Sequence, residues 1–247
     1  MTRFYASIPL TVNDHVELPE TVFHHWVRVL RAQVGAHATL FNGTGGEYEV
    51  VLQDIHKRSA VVQVKSFNPS NRTPDYQVTL GQVMSKGDRM DYAIQKATEL
   101  GVHRIQLLIS ERCEMRLKYE RDQKKIEHWQ QVAIAACEQC GMNIIPEVLA
   151  PLMLDDWLAQ SGAISATKLV LAPAKQSMQF SMPFPSAFYL LVGPEGGLSD
   201  AEIKLANSYH FNNWTLGERV LRTETAPVVA LSALLFAQSL TISIVKS

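Results

Sequence analysis

The hydrophobic positions of this chain change their period partway along it, and the change divides the chain in two. After Pro19-Glu20-Thr21, the residues Phe23, Trp26, Val27 and Leu30 fall at i, i+3, i+4 and i+7, which predicts a helix with one buried stripe. His24, Arg28 and Arg31 lie on its other face. Strand signals follow at 38–41, 47–52 and 60–64, joined by Asn42-Gly43-Thr44-Gly45-Gly46 and by the polar turn His56-Lys57-Arg58-Ser59. Short strands, tight turns and a single helix predict a small β-barrel. Residues 68–75 contain two prolines and no apolar side chain, so they read as a linker between a domain at 1–70 and a second at 76–247.

From Tyr76 onward, strands and helices alternate. Strands are predicted at 78–84, 105–109, 169–171, 189–192 and 214–216, with an extended piece at 144–148. Helices are predicted at 88–100, 120–140, around 155–158, after Ser199 and after Pro227. Gly101 ends the first of these, and Ser199-Asp200-Ala201-Glu202 has capping-box spacing. Near-continuous apolar strands imply a parallel α/β sheet with helices on both faces. Ligands of such sheets bind beyond the carboxyl ends of the strands. Three strands end there in candidate loops: Ala172-Pro173-Ala174-Lys175, Gly193-Pro194-Glu195-Gly196-Gly197, and the stretch from Gly217 to Thr225.

Composition narrows the class. With 247 residues, 47% hydrophobic and 19% charged, the chain fits an ordinary globular protein of one large or two smaller domains. A net charge of −1 excludes a generally basic nucleic-acid coat but leaves room for a local patch. No apolar run is long enough to cross a membrane, the first residues lack a signal-peptide core, and three cysteines make no disulfide framework. A cytoplasmic location is therefore expected. Cys137-Glu138-Gln139-Cys140 has C-x-x-C spacing but no second pair at zinc spacing, and it ends a predicted helix; its thiols read as packing residues, and no metal is expected.

Glu195 argues against a phosphate cradle at the glycine loop, because an anion on the loop amides would also meet that carboxylate. A positively charged ligand, or a neutral one gripped by main-chain groups, suits the loop better. The second loop carries Glu218, Arg219, Arg222 and Glu224, which could simply pair with one another. Thr223, Thr225 and Pro227 suffice to start the uncharged helix that follows, which leaves Arg222 and Glu224 for a substrate. Lys86, Arg89, Arg112 and Arg116 lie near strand ends; as a nucleic-acid signal they are weak, since acidic neighbours intersperse them.

Taken in order, Gln95-Lys96-Ala97-Thr98-Glu99-Leu100-Gly101-Val102, Ser110-Glu111-Arg112-Cys113, Ala136-Cys137-Glu138-Gln139, Val192 to Gly197 and Leu216 to Ala226 form a specific set. The chain resembles the RsmE family, bacterial methyltransferases that modify N3 of a uridine in small-subunit (16S) ribosomal RNA. The resemblance runs over nearly its whole length. It implies a SPOUT methyltransferase domain with a C-terminal trefoil knot, a PUA-like N-terminal barrel, S-adenosylmethionine as methyl donor, and a homodimer. The implied cofactor residues are Leu171, Ala172, Gly193, Pro194, Glu195, Gly196, Leu216, Gly217, Leu221 and Thr223. With that chemistry, Arg222 is expected to stabilise a uracil carbonyl oxygen, and Glu224 or Glu195 to take the imide proton or orient Arg222. Arg3, His24, Arg28, Arg31, Lys86, Arg89, Arg112 and Arg116 are the expected contacts to ribosomal RNA or the small subunit. The chain departs from the family pattern at Met142 and Ile144, where arginine is common. Two other readings remain open: a knotted methyltransferase acting on transfer RNA, and a ribosome-associated RNA-binding protein without catalysis.

Overall fold

The computed structural model describes residues 2–113, 119–173 and 183–245. Its chain divides into two compact units, Met1–Thr73 with Cys137–Ile145, and Pro74–Ala136 with Pro146–Ser247.

The first unit is built on a five-stranded sheet in the order β1-β3-β4-β5-β2. Its strands are β1 (Arg3–Tyr5), β2 (His15–Glu17), β3 (His37–Phe41), β4 (Glu47–Ile55) and β5 (Ala60–Asn68). The two short strands β1 and β2 escape the sequence pattern because three residues show no period. The predicted helix exists but changes character. Four residues of α1 (Glu20–Phe23) continue into a π-helix over His24–Val29. Phe23, Trp26 and Val27 are buried as expected, whereas Leu30 is 49% exposed. The wider turn, in which Leu30 N donates to His25 O, rotates Leu30 off the buried face.

Unit 1 also holds residues 137–145. Cys137 and Met142 pack with Phe41 in a small apolar cluster, and Glu138 Oε1 accepts from the Tyr5 amide at 2.9 Å. Burial pushes the Cys137 thiol up to about 12, so it stays protonated and packs as a hydrophobe. Met142 is therefore a core residue here.

The second unit carries a six-stranded sheet, β11-β9-β10-β6-β7-β8, in which every pairing is parallel. Its strands are β6 (Gln77–Val83), β7 (Arg104–Ile109), β8 (Glu147–Met153), β9 (Thr167–Leu171), β10 (Ala187–Val192) and β11 (Asn212–Trp214). Alternate residues feed two cores. Val78, Leu80, Ile105, Leu107, Leu169, Phe188 and Leu190 face α2 (Arg89–Glu99), α3 (Tyr119–Cys140) and α6 (Thr225–Val245). Val83, Leu108, Val170 and Leu191 face α4 (Leu154–Gly162) and α5 (Asp200–Ser208). That double burial is the reason β9 and β10 read as near-continuous apolar runs.

Gly81 lies against Trp157 in the second core. A Cβ at this position would lie 2.5 Å from the Trp157 ring. Gly81→Ala is expected to lower stability by about 1–3 kcal/mol through overpacking, measured as a shifted denaturant midpoint at constant m-value.

Candidate functional site

Strand order builds the site. After β9 the chain adds β10 on one side, then returns to add β11 on the other, and the carboxyl ends of these three strands open into one cavity of about 740 Å³. Its walls include Leu171, Ala172, Gly193, Pro194, Glu195, Leu216, Gly217, Leu221, Arg222, Thr223 and Glu224. Of the residues expected at a cofactor pocket, Gly196 alone is missing from these walls.

The glycine loop leads directly into α5. The capping box foreseen at Ser199 and Glu202 is formed, and Glu202 also accepts from the Glu111 amide at 2.8 Å. One carboxylate thereby fixes the start of α5 and the loop after β7. A side chain at Gly193 would crowd the loop, since a Cβ would stand 3.0 Å from both Leu198 N and Leu198 Cγ.

Thr223 closes the site from the other wall. Its hydroxyl donates to Gly193 O at 2.7 Å and accepts from Gln82 Nε2 at 3.1 Å. It is therefore no helix cap. The first amides of α6, on Thr225 and Ala226, are taken by Arg222 O instead. Gln82 was not anticipated. A large polar residue close to the carboxyl end of a strand, in register with the apolar Val78 and Leu80, was the available signal.

Glu218, Arg219, Arg222 and Glu224 do not pair with one another among the described residues. Arg222 is exposed, and no described side chain engages its guanidinium. Glu224 Oε2 is buried and has no hydrogen-bond partner among the described residues. A buried carboxylate oxygen left without a donor is costly unless a ligand supplies one.

Two expected site residues are engaged by other parts of the protein. Glu195 was to present its charge to a positive ligand, but its Oε1 binds Arg89 Nη1 at 2.6 Å. Because β6 lies beside β10, the N-terminus of α2 faces the glycine loop and brings Arg89 there. Arg89 in turn is no longer a free cation for RNA. Arg3, expected at the RNA, is the second. Its side chain is 11% exposed, lies 3.9 Å over the Phe41 ring, and donates through Nη2 to Met142 O at 2.8 Å and to Asn143 Oδ1. Burial lowers its guanidinium from the usual value, against the opposing pull of Glu47. It holds the first unit together from within.

The remaining cations are scattered. Arg112 Nη1 donates to Gly196 O at 2.9 Å, which steadies the glycine loop from outside. Lys86 lines a second, smaller cavity with Arg89 and Glu195. His24, Arg28 and Arg31 are all exposed on the first unit. Arg116 lies outside the described residues, as do Ala174 and Lys175. Among the described residues no three His, Cys, Asp or Glu side chains gather as a metal would need, and no helix is long and apolar enough to cross a membrane.

Comparison with known families places this architecture. The RNA methyltransferase domain family matches residues 71–235, and the RNA methyltransferase PUA domain family matches residues 18–65. Fold and site thus define an RNA methyltransferase with a PUA-like N-terminal domain. The ribosomal RNA small subunit methyltransferase E of Buchnera aphidicola (from Schizaphis graminum) is 33% identical over 94% of each chain, and that of Bacillus subtilis 32% over 85% of this chain and 86% of its own. A solved structure of the Neisseria gonorrhoeae ribosomal RNA small subunit methyltransferase E bound to S-adenosyl methionine superposes with a TM-score of 0.88 at 35% identity, covering 96% of this chain and 97% of that one. The chain belongs to the ribosomal RNA small subunit methyltransferase E family.

Proposed function

We propose that this chain methylates N3 of a uridine in small-subunit ribosomal RNA, with S-adenosylmethionine as donor, and that it does so as a homodimer with a knotted C-terminus. The cavity's size lies within the usual range for ligands of this kind, and apolar walls interrupted by main-chain groups suit an adenosine better than a polyphosphate. Leu171, Ala172, Gly193 to Gly196, Leu216, Gly217, Leu221 and Thr223 would hold the cofactor. When bound, it supplies an electrophilic methyl group on a positively charged sulfur.

The single observation that carries the reading is the pair Arg222 and Glu224 on one wall of this cavity, among the described residues the first without a side-chain partner and the second with a buried, unpartnered oxygen. Uracil N3 becomes a nucleophile only when its imide proton leaves. Glu224 Oε2 accepts that proton, and Arg222 donates to the adjacent carbonyl oxygen, where negative charge collects as the N–H bond breaks. Glu195, already paired with Arg89, is the weaker candidate for the base. Self-association is supported by α6, whose 21 residues carry no charge and which leaves Phe236 65% and Leu240 50% exposed.

The RNA would be held by the exposed His24, Arg28 and Arg31 face, with Lys86 and Arg112 near the cavity. Arg28 donates to Lys57 O, which sets the exposed His56, Lys57 and Arg58 turn beside that face. Replacing Arg28 and Arg31 together by alanine should flatten the log–log salt dependence of RNA binding by about two units, since each phosphate contact contributes about 0.9. Anisotropy titrations across a salt series measure it, and an unchanged slope would mean the face is merely solvated.

The function itself is tested by incubating the purified protein with S-adenosylmethionine and small subunits from a strain lacking the activity, then digesting the RNA for mass spectrometry. N3-methyluridine in the small-subunit RNA is the expected product. Methylation of transfer RNA alone, or cofactor binding without any transfer, would replace this reading by one of the two alternatives.

A further inference from the structure

Gln82 occupies a position where an apolar residue would be cheaper. It lies on β6 in the stripe of Val78, Leu80 and Met84, which faces the core under α6, and it is 1% exposed. Its Nε2 donates to Val83 O at 3.1 Å and to Thr223 Oγ1 at 3.1 Å. Its Oε1 is buried with no hydrogen-bond partner among the described residues. A buried amide with one end unsatisfied destabilises the fold, and such a residue persists in a core when its other end has a task.

The task follows from hydrogen-bond valence. A threonine hydroxyl has one proton to give and lone pairs to accept with. The Gln82 NH₂ group can only donate, so it occupies an acceptor position on Thr223 Oγ1 and forces the single hydroxyl proton elsewhere. The proton then goes to Gly193 O, the 2.7 Å bond that joins the loop after β10 to the loop before α6. Both loops line the cavity, and Gln82 itself does not. We infer that Gln82 is a positioning residue: it sets the direction of the Thr223 hydroxyl and thereby locks the two walls of the cofactor pocket at their working separation. The inference rests on the reading of that cavity as the S-adenosylmethionine site.

Three variants test it, with calorimetric titration of S-adenosylmethionine and thermal unfolding of the cofactor-free protein as paired readouts. Gln82→Met keeps the shape and removes the donor. It should raise the dissociation constant about tenfold, the effect of one lost hydrogen bond, while leaving Tm unchanged or higher because the orphan oxygen is gone. Gln82→Glu places an acceptor where the donor stood, draws the Thr223 proton away from Gly193 and should weaken binding at least as much. In a Thr223→Val background, Gln82→Met should have no further effect on the dissociation constant, since the hydroxyl it orients is absent. Wild-type affinity in Gln82→Met would overturn the inference. So would an affinity loss matched by a fallen Tm and undiminished in the Thr223→Val background, which would make Gln82 a plain packing residue. Absence of binding by the wild-type protein would instead overturn the cofactor reading beneath it.

Discussion

Arg222→Ala should lower kcat for RNA methylation by about a hundredfold or more, with S-adenosylmethionine affinity nearly unchanged. Removing one preorganised donor from a developing oxyanion typically costs a factor of about 10²–10³. Arg222 is suited to that effect because its side chain has no structural employment: it is exposed, on the cavity wall, and unengaged by any described side chain. Its main-chain carbonyl does hold the first amides of α6, a role that alanine keeps. The loss should therefore fall on turnover and leave the melting temperature alone. Arg222→Lys should recover only part of it, because an ammonium is a point charge where a guanidinium offers a planar fork. Steady-state kinetics on small subunits at saturating cofactor measure both variants, and full turnover in Arg222→Ala would remove Arg222 from the reaction.

Glu224→Gln is expected to reduce kcat by about 10²-fold at neutral pH, within the range attributed to general bases. The substitution preserves size, yet it replaces a carboxylate oxygen that is buried and unpartnered among the described residues with a group that cannot take a proton. The deficit should shrink as pH rises, because the uracil imide then ionises without help. Glu195→Gln is the matched control. Its carboxylate is engaged by Arg89 at 2.6 Å, so its loss should act through the loop and Arg89 with a smaller effect on turnover. A larger loss in Glu195→Gln than in Glu224→Gln, with cofactor affinity intact in both, would exchange the two roles.

The parts of the fold that could be read ahead share one property. The β9 and β10 runs, the Ser199 capping box and the stop at Gly101, whose φ is +82°, are all written within a few adjacent residues. Misreadings arose where a local pattern had a distant cause. Thr215 and Leu216 look like strand but line the cavity, and the strand is Asn212–Trp214 instead. Leu30 fits an α-helical stripe that a π turn then breaks. Thr223 resembles a helix cap, yet its hydroxyl bridges to Gly193.

By itself, then, the sequence determined the alternation of strands and helices, the three loops at strand ends, and the residue types available there, because periodicity and capping chemistry are short-range. Only the tertiary structure decided which of those residues remain available to a ligand. Glu195 and Arg89 are separated by 106 positions, and Gln82 and Thr223 by 141. The first pair meets because β6 pairs with β10, the second because α6 packs on the face of that sheet, and no local period encodes either arrangement. Whether a charge in a candidate loop is free or already matched depends on such neighbours: here Arg89 neutralises Glu195, while Arg222 and Glu224 stay without partners among the described residues.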